Sequence, residues 1–259
     1  MIKNKKGIII AAISLALIYF IICVIQALPK DSGYKKTVFL GASTKINIED
    51  GNIKIKNDNA KIEKQKVKVY FNKVFVDATL SSFDADSDGV KYSYMVSNEN
   101  GDRLALDTIL VAHTDDLSLK IKEPNTRILD NPEEIYKFAK ANNISLPSNI
   151  EITYMNVKTI DINDDNEDEY IYSAGFEISE DTFESIVFMK QQGNYILISK
   201  ETSDNDIFKN VRLSFYKLID FNNDNNYEFV VNKRMSEYGP DYYELYNFDG
   251  SSFTKIGGE

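Results

Sequence analysis

Apolar and polar residues alternate with period two over most of this chain. Ile46/Ile48, Ile53/Ile55, Val67/Val69/Phe71, Tyr92/Tyr94/Val96 and Leu117/Leu119/Ile121 all follow that spacing, which buries one face of a strand. Turn signals at Asp50-Gly51-Asn52, Asp88-Gly89 and Asn100-Gly101-Asp102 separate the runs. Short strands so spaced predict a β-sandwich over residues 37–124, after a polar spacer at 29–36. A helical period interrupts them once. Ile135, Phe138 and Ala139 stand at i, i+3 and i+4, so a helix over 132–143 presents a narrow apolar stripe to a sheet. Asn131 suits its cap and Pro132 its first position, Glu133 and Glu134 favour the positive end of its dipole, and Asn142-Asn143 supply the stop. This helix lies in a linker, 125–150.

Residues 151–259 read as two copies of one unit. Ile160-Asp161-Ile162-Asn163-Asp164-Asp165-Asn166-Glu167-Asp168-Glu169 is repeated 59 residues later as Ile219-Asp220-Phe221-Asn222-Asn223-Asp224-Asn225-Asn226-Tyr227-Glu228. In each copy a strand ends at the first aspartate, another begins at the ninth loop position, and two more follow. The first copy continues with Tyr170–Ala174, Ser185–Met189 and Tyr195–Ser199, the second with Phe229–Asn232, Tyr242–Phe248 and Phe253–Ile256. Each copy therefore predicts a four-stranded antiparallel meander, and the fold class is mainly β. In the second copy, the stretch Tyr238–Phe248 reads as a hairpin with an aromatic core, the alternative being a surface that stacks on sugar rings or a protein partner.

The amino terminus follows another pattern. Lys3, Lys5 and Lys6 precede Gly7–Leu28, a run of 22 residues without a charge, long enough to cross a hydrocarbon core of about 30 Å as a helix. Val24-Ile25-Gln26-Ala27-Leu28-Pro29 is a poor cleavage site, so the reading is an uncleaved anchor through the lipid bilayer, with a cleaved signal as the alternative. The lysines place residues 1–6 in the cytoplasm and those from about 29 onward outside. Cys23, the one cysteine, lies in the apolar run, so no disulfide is available to the outer part. Abundant Ile, Lys and Asn fit an AT-rich Gram-positive genome.

Charge locates the chemistry. Between Glu151 and Glu259 stand 22 acids against 9 bases, an excess larger than the chain's net −10. All of the net negative charge therefore lies in the repeat region, which disfavours nucleic acid as a partner and favours cations. The candidate metal ligands are Asp161, Asn163, Asp165, Glu167 and Glu169, and their counterparts Asp220, Asn222, Asp224, Asn226 and Glu228. Alternating oxygen donors in a tight loop, with a carbonyl at the seventh position, are what Ca2+ needs. Two carboxylates held about 5 Å apart repel by roughly 3 kcal/mol at an effective dielectric of 20, so a converging loop gains from a divalent counterion. The alternative is a pair of Asx turns joining strands. A third stretch, Asp84-Ala85-Asp86-Ser87-Asp88-Gly89, has the spacing but Tyr92 at its ninth position, and reads as a hairpin loop.

With Tyr172 and Val231 at the twelfth position, neither loop is an EF-hand. Both resemble the calcium loop of FG-GAP and VCBS repeats, the blades of integrin-type propellers, whose pattern runs D-x-[DN]-x-D-G-x-x-D. Asn166 and Asn225 replace the glycine of that pattern, and Glu169 and Glu228 its last aspartate. The resemblance implies calcium-bearing blades. Only two are visible, so the pair packs face to face, with the helix or the upstream module covering an edge, or other chains complete the structure. The upstream module is similar to immunoglobulin-like modules.

Nothing in the sequence marks a catalytic site. His113, the one histidine, has no G-x-S-x-G nucleophile elbow to serve and reads as structural or at the surface. A glycosidase would need two carboxylates about 5–9.5 Å apart across a cleft. The chain is read as a non-enzymatic, membrane-anchored extracellular binding module stabilised by calcium, its partner a protein or a glycan outside the cell. The alternatives are an envelope hydrolase acting on cell-wall polymers and the outer sensory part of a membrane regulatory complex.

Overall fold

Residues 36–41, 44–49, 51–56, 61–87, 90–103, 111–114, 117–127, 132–144, 146, 151–204, 210–235 and 241–257 are described by a computed structural model. The expected anchor, 7–28, lies outside them, as do Asn131 and the side chains of Asp84–Gly89. Among the described residues no helix is long and apolar enough to cross a membrane. They are mainly β, with one helix and antiparallel sheets throughout.

The upstream region is one sheet where two were expected. Strands β1 (Lys36–Leu40), β2 (Thr44–Glu49), β3 (Asn52–Lys56), β4 (Gln65–Phe71), β5 (Val74–Ser87), β6 (Val90–Ser97) and β7 (Val111–His113) pair in the order β3-β2-β1-β7-β4-β5-β6. On a flat sheet four strand spacings, about 19 Å, would separate β1 from β6. The Phe39 and Tyr94 rings are instead 5.4 Å apart, so the sheet curls and closes its inner face over Phe39, Val67, Val69, Leu80, Tyr94, Val96 and Ala112. Curling gives one sheet the enclosed core that a sandwich obtains from two. His113 is buried at its centre, its Nδ1 2.6 Å from the Thr114 carbonyl and its ring edge-on to Phe75, as a structural histidine would be.

Both meanders are present, and each gains a fifth strand. β10 (Glu151–Ile160), β11 (Glu169–Ser179), β12 (Thr182–Gln191) and β13 (Asn194–Asp204) form the first, with β9 (Asn125–Arg127) added beside β10. β14 (Arg212–Asp220), β15 (Glu228–Arg234), β16 (Asp241–Phe248) and β17 (Phe253–Gly257) form the second, with β8 (Lys120–Lys122) added beside β14. Of the alternating Leu117, Leu119 and Ile121 only Ile121 lies in a strand, and that strand belongs to the second meander rather than to the upstream sheet. β8 leaves the upstream module and completes the second meander.

Face-to-face packing makes a stack of layers. Ile160, Ile171, Val187 and Met189 of the first meander meet Leu213, Phe215, Leu218, Phe229 and Val231 of the second. The second meander's other face, with Ile219, Val230, Tyr243 and Leu245, packs on Val38, Leu40, Ile46, Ile48 and Val111 of the curled sheet. The buried Tyr243 and Tyr246 confirm an aromatic core for the described part of the Tyr238–Phe248 stretch. A bulge between Phe215 and Lys217 restores phase along β14, so that Leu213, Phe215 and Leu218 share one face despite their odd and even numbers.

Helix α1 (Glu133–Ala141) covers the outer face of the first meander, not an edge. Pro132, expected at the first helical position, stands at the cap instead, so the helix begins one residue later, and no side chain caps that end. Asn143 turns left-handed at φ 55, and the Ile144 N–H reaches the Ala139 carbonyl at 2.8 Å to close the other end. Ile135 and Phe138 are fully buried, and the Phe138 ring stacks on Phe188 at 4.1 Å. Burying each contributes about 1.5–3 kcal/mol relative to exposure.

One polar anchor fixes the helix in register. Glu134 accepts hydrogen bonds from Lys190 Nζ at 2.6 Å and Tyr195 Oη at 2.8 Å. Burial opposes its charge, but the bonds from Lys190, Tyr195 and Lys137 outweigh that and hold the carboxyl down at about 2. A folded pKa below the unfolded value of 4.5 contributes stability above the unfolded pKa, and that contribution disappears as pH falls through the folded one. Glu134→Gln is thus expected to lower stability in urea unfolding near pH 6, with the deficit shrinking as pH falls from about 4.5 toward 2. An equal deficit across that window would contradict the anchor.

Candidate functional site

The two acidic loops adopt one conformation. In the first, the Asp161 carboxylate accepts the N–H groups of Asp165 at 3.2 Å and Asn166 at 2.9 Å. Asn163 Oδ1 accepts the Asp165 N–H at 3.2 Å, and its amide donates to Asp165 Oδ2 at 2.9 Å. Asp165 Oδ1 takes the Glu167 N–H at 2.7 Å, and Glu169 Oε2 takes that of Ile162 at 3.0 Å. In the second loop Asp220 accepts from Asp224 at 3.1 Å and Asn225 at 3.0 Å, and Asp224 from Asn226 at 2.7 Å. Asn222 Oδ1 takes the Asp224 N–H at 3.3 Å, its amide meets Asp224 Oδ2 at 2.9 Å, and Glu228 Oε2 takes the Phe221 N–H at 3.2 Å.

Side chains at positions one, three, five and nine are thus drawn into one network in each copy. The seventh-position residues, Glu167 and Asn226, join it through their N–H groups. The glutamates at position nine use their longer arm to reach back to the second N–H. Asn166 at φ 67 and Asn225 at φ 68 occupy the left-handed region in the place of the glycine, as do Asp164 and Asn223 two residues earlier.

Burial separates the copies. At the first loop position Asp220 is fully buried and Asp161 half-buried, whereas at the ninth Glu169 and Glu228 are both buried. Burial, with the charges of Asp224 and Asp220 adding to it, pushes the Glu228 carboxyl up to about 7 against the opposing N–H of Phe221. For Asp224 burial also acts upward, but the Asn226 N–H and the Asn222 amide overcome it, and the carboxyl lies below its usual range.

Two lysines that the sequence pattern did not single out bear on these loops. Lys122 Nζ lies 2.6 Å from Asp164 Oδ1 and 3.1 Å from the Asp161 carbonyl, 4.8 Å above the Tyr227 ring. Lys120 Nζ bonds Asn225 Oδ1 and stands 3.8 Å from Asp220 Oδ2. Alternation along β8 placed both on the face opposite Leu119 and Ile121, but no local signal ties them to loops 39 and 105 residues away. Gln191, which donates to Glu169 Oε1 at 3.1 Å, was likewise not legible.

Carboxylate and amide oxygens are hard donors and suit Ca2+ rather than a thiolate- or imidazole-seeking metal. Asp161, Asp165 and Glu169, or Asp220, Asp224 and Glu228, could hold such an ion with Asn163 or Asn222, since a carboxylate oxygen bonded to one N–H keeps a second lone pair. The loops as they stand are closed on their own N–H groups, and among the described residues no group of three or more acidic, histidine or cysteine side chains is disposed to hold a metal. No protein-family model matches the chain, and no curated protein or solved structure matches it significantly.

The left-handed bend carries a stability prediction. Asn166→Gly is expected to leave the urea midpoint unchanged or raised, while Asn166→Val loses about 1–2 kcal/mol, because a β-branched side chain resists positive φ. Equal midpoints for the two variants would mean that the loop relaxes out of this conformation.

Proposed function

We propose that the chain is a membrane-anchored binding module displayed outside the cell, its repeat loops steadied by calcium. The observation that carries this reading is the duplicated hydrogen-bond pattern of the two loops, which gathers the expected oxygen donors at the same end of two packed meanders. The resemblance of the loops to FG-GAP and VCBS repeats supports it. So does Glu228, whose charged form is disfavoured by burial first and by the charges of Asp224 and Asp220 after it, which a cation would offset. Gly7–Leu28 serves as the anchor, with the three preceding lysines on the cytoplasmic side.

Calcium bound only by the folded chain raises its stability by mass action. With a Kd of roughly 10⁻⁴ M, about 10 mM calcium adds about 2.7 kcal/mol per site. Thermal melting of the full chain in detergent is expected to shift upward in calcium relative to chelator. In Asp161→Asn with Asp220→Asn, which keeps one oxygen acceptor in each loop and replaces the other with an amide NH2, the shift disappears. Identical melting of the unmodified chain in calcium and in chelator would remove calcium from the reading. The anchor is tested apart from this: membrane-bound protein is expected to resist alkaline carbonate and to retain Lys3 at its amino terminus, whereas a mature terminus near Leu28 would identify a cleaved signal.

A further inference from the structure

On the outer face of the first meander, where α1 begins, lies a cleft of about 410 Å3, within the roughly 300–1,000 Å3 of small-ligand sites. Glu134 of α1 forms one wall, the first acidic loop a second and the β12–β13 turn, 190–193, a third, with Tyr170 and Tyr172 of β11 between them. Five carboxylates stand in these walls against one cation, Lys190. Three of the five are engaged. Glu134 holds Lys190 and Tyr195, Asp165 the Asn163 amide and the Glu167 N–H, and Glu169 the Ile162 N–H and the Gln191 amide. Lys190 is taken up by Glu134, and Arg127 lies over the Tyr170 ring at 5.5 Å and donates to its hydroxyl at 3.4 Å.

Left without a partner among the described residues are the exposed carboxylates of Glu167 and Asp168, the amide of Gln192 and the hydroxyl of Tyr172. Tyr172 points most directly to a ligand. Only 4% of it is exposed, and its ring stacks on Phe188 at 4.8 Å, so the hydroxyl is held at the cleft wall by packing alone. A buried hydroxyl costs free energy until something bonds it. Burial, and after it the charge of Glu134, pushes this phenol up to about 12, so it stays neutral and keeps its lone pairs for a donor. The ligand's charge follows from the other walls. An anion would be repelled by Glu167 and Asp168, and an uncharged ligand would cover both carboxylates without compensating them. Among the described residues no group of three or more acidic, histidine or cysteine side chains is disposed to hold a metal ion. An ammonium brings three donors, which two carboxylates and a phenol oxygen can accept.

We infer that this cleft takes a lysine side chain of a basic peptide, Glu167 and Asp168 supplying the countercharge and the Tyr172 hydroxyl an acceptor. The inference rests on the binding-module reading and names the partner's chemistry, and calcium is no part of it. Binding is measured calorimetrically on the full chain in nonionic detergent with chelator, at about 0.15 M salt, where charges more than about 8 Å apart are largely screened. The probes are tetralysine, the same peptide acetylated on its side chains, and tetraglutamate. Tetralysine is expected to bind, and the acetylated peptide, which has lost the charge, at least ten-fold more weakly. Glu167→Gln with Asp168→Asn, both at exposed positions, is expected to weaken tetralysine about ten-fold, and so is Tyr172→Phe, which keeps the ring on Phe188 and changes no charge. Tetralysine binding that Tyr172→Phe does not weaken would mean that the broad negative field of the repeats gathers the peptide, and would overturn the cleft as the site. Binding of the acetylated or the acidic peptide without tetralysine would overturn the basic class and leave the binding-module reading standing. Binding of none of the three would overturn both.

Discussion

One edge of β14 governs how the repeats assemble. β8 pairs only with Leu218–Asp220, so the preceding part of that edge turns its backbone groups toward the first meander without a strand to receive them. Side chains take the strand's place. Ser173 Oγ accepts the Phe215 N–H at 3.0 Å, Ser185 Oγ the Leu213 N–H at 2.8 Å, and Tyr154 Oη donates to the Leu213 carbonyl at 2.9 Å. Lys158 Nζ serves the carbonyls exposed by the bulge, Phe215 at 2.7 Å and Tyr216 at 3.3 Å. An unpaired buried backbone group costs about 1–3 kcal/mol, so these four side chains fix where the layers meet, while the apolar cluster around them supplies non-directional attraction. Burial, with Lys217 nearby, pushes Lys158 down to about 8, partly offset by Glu123, so this arrangement carries its own electrostatic cost.

The segment that carries β8 and β9 depends on the same geometry. It adds one short strand to each meander, and between them Glu123 pairs with the buried Lys217 at 2.7 Å. Three-residue strands are too short to hold an edge alone. The ion pair and the two loop contacts of Lys120 and Lys122 hold this segment across both repeats. Because it leads out of the curled sheet, that sheet is joined to both repeats by chain, and to the second by packing as well.

What was legible in the sequence is what local spacing controls. The strands of both repeats, the stripe of Ile135, Phe138 and Ala139, the left-handed asparagines and the common loop pattern all follow from nearest neighbours along the chain. The partner of each strand does not. Leu117, Leu119 and Ile121 alternate as a strand of any sheet would, but only Ile121 is in one, and the unfilled edge of β14 decides that it belongs to the second meander. The curl of the upstream sheet was hidden for the same reason, since Phe39 and Tyr94 meet across three intervening strands. Lys120, Lys122 and Gln191 reach the loops through pairing that no local period encodes.

Near-identical loops need not hold a cation equally well. Both copies satisfy the same N–H groups with the same side chains, so the difference between them comes from what packs outside. The second loop lies against the curled sheet, where Gly51 meets Asn222, and its carboxylate at position one is fully buried, while at position nine both copies are buried. The first loop stands freer, with Asp161 half-buried and Lys122 against the backbone and Asp164 at its rim. Desolvation raises the cost of gathering negative charge and also strengthens the attraction of any cation that enters, since both scale inversely with the local dielectric. The second loop is thus the one in which an ion changes the energy most, although the first carries more acidic residues. Position in the stack, rather than the count of carboxylates, sets the electrostatic demand of each copy.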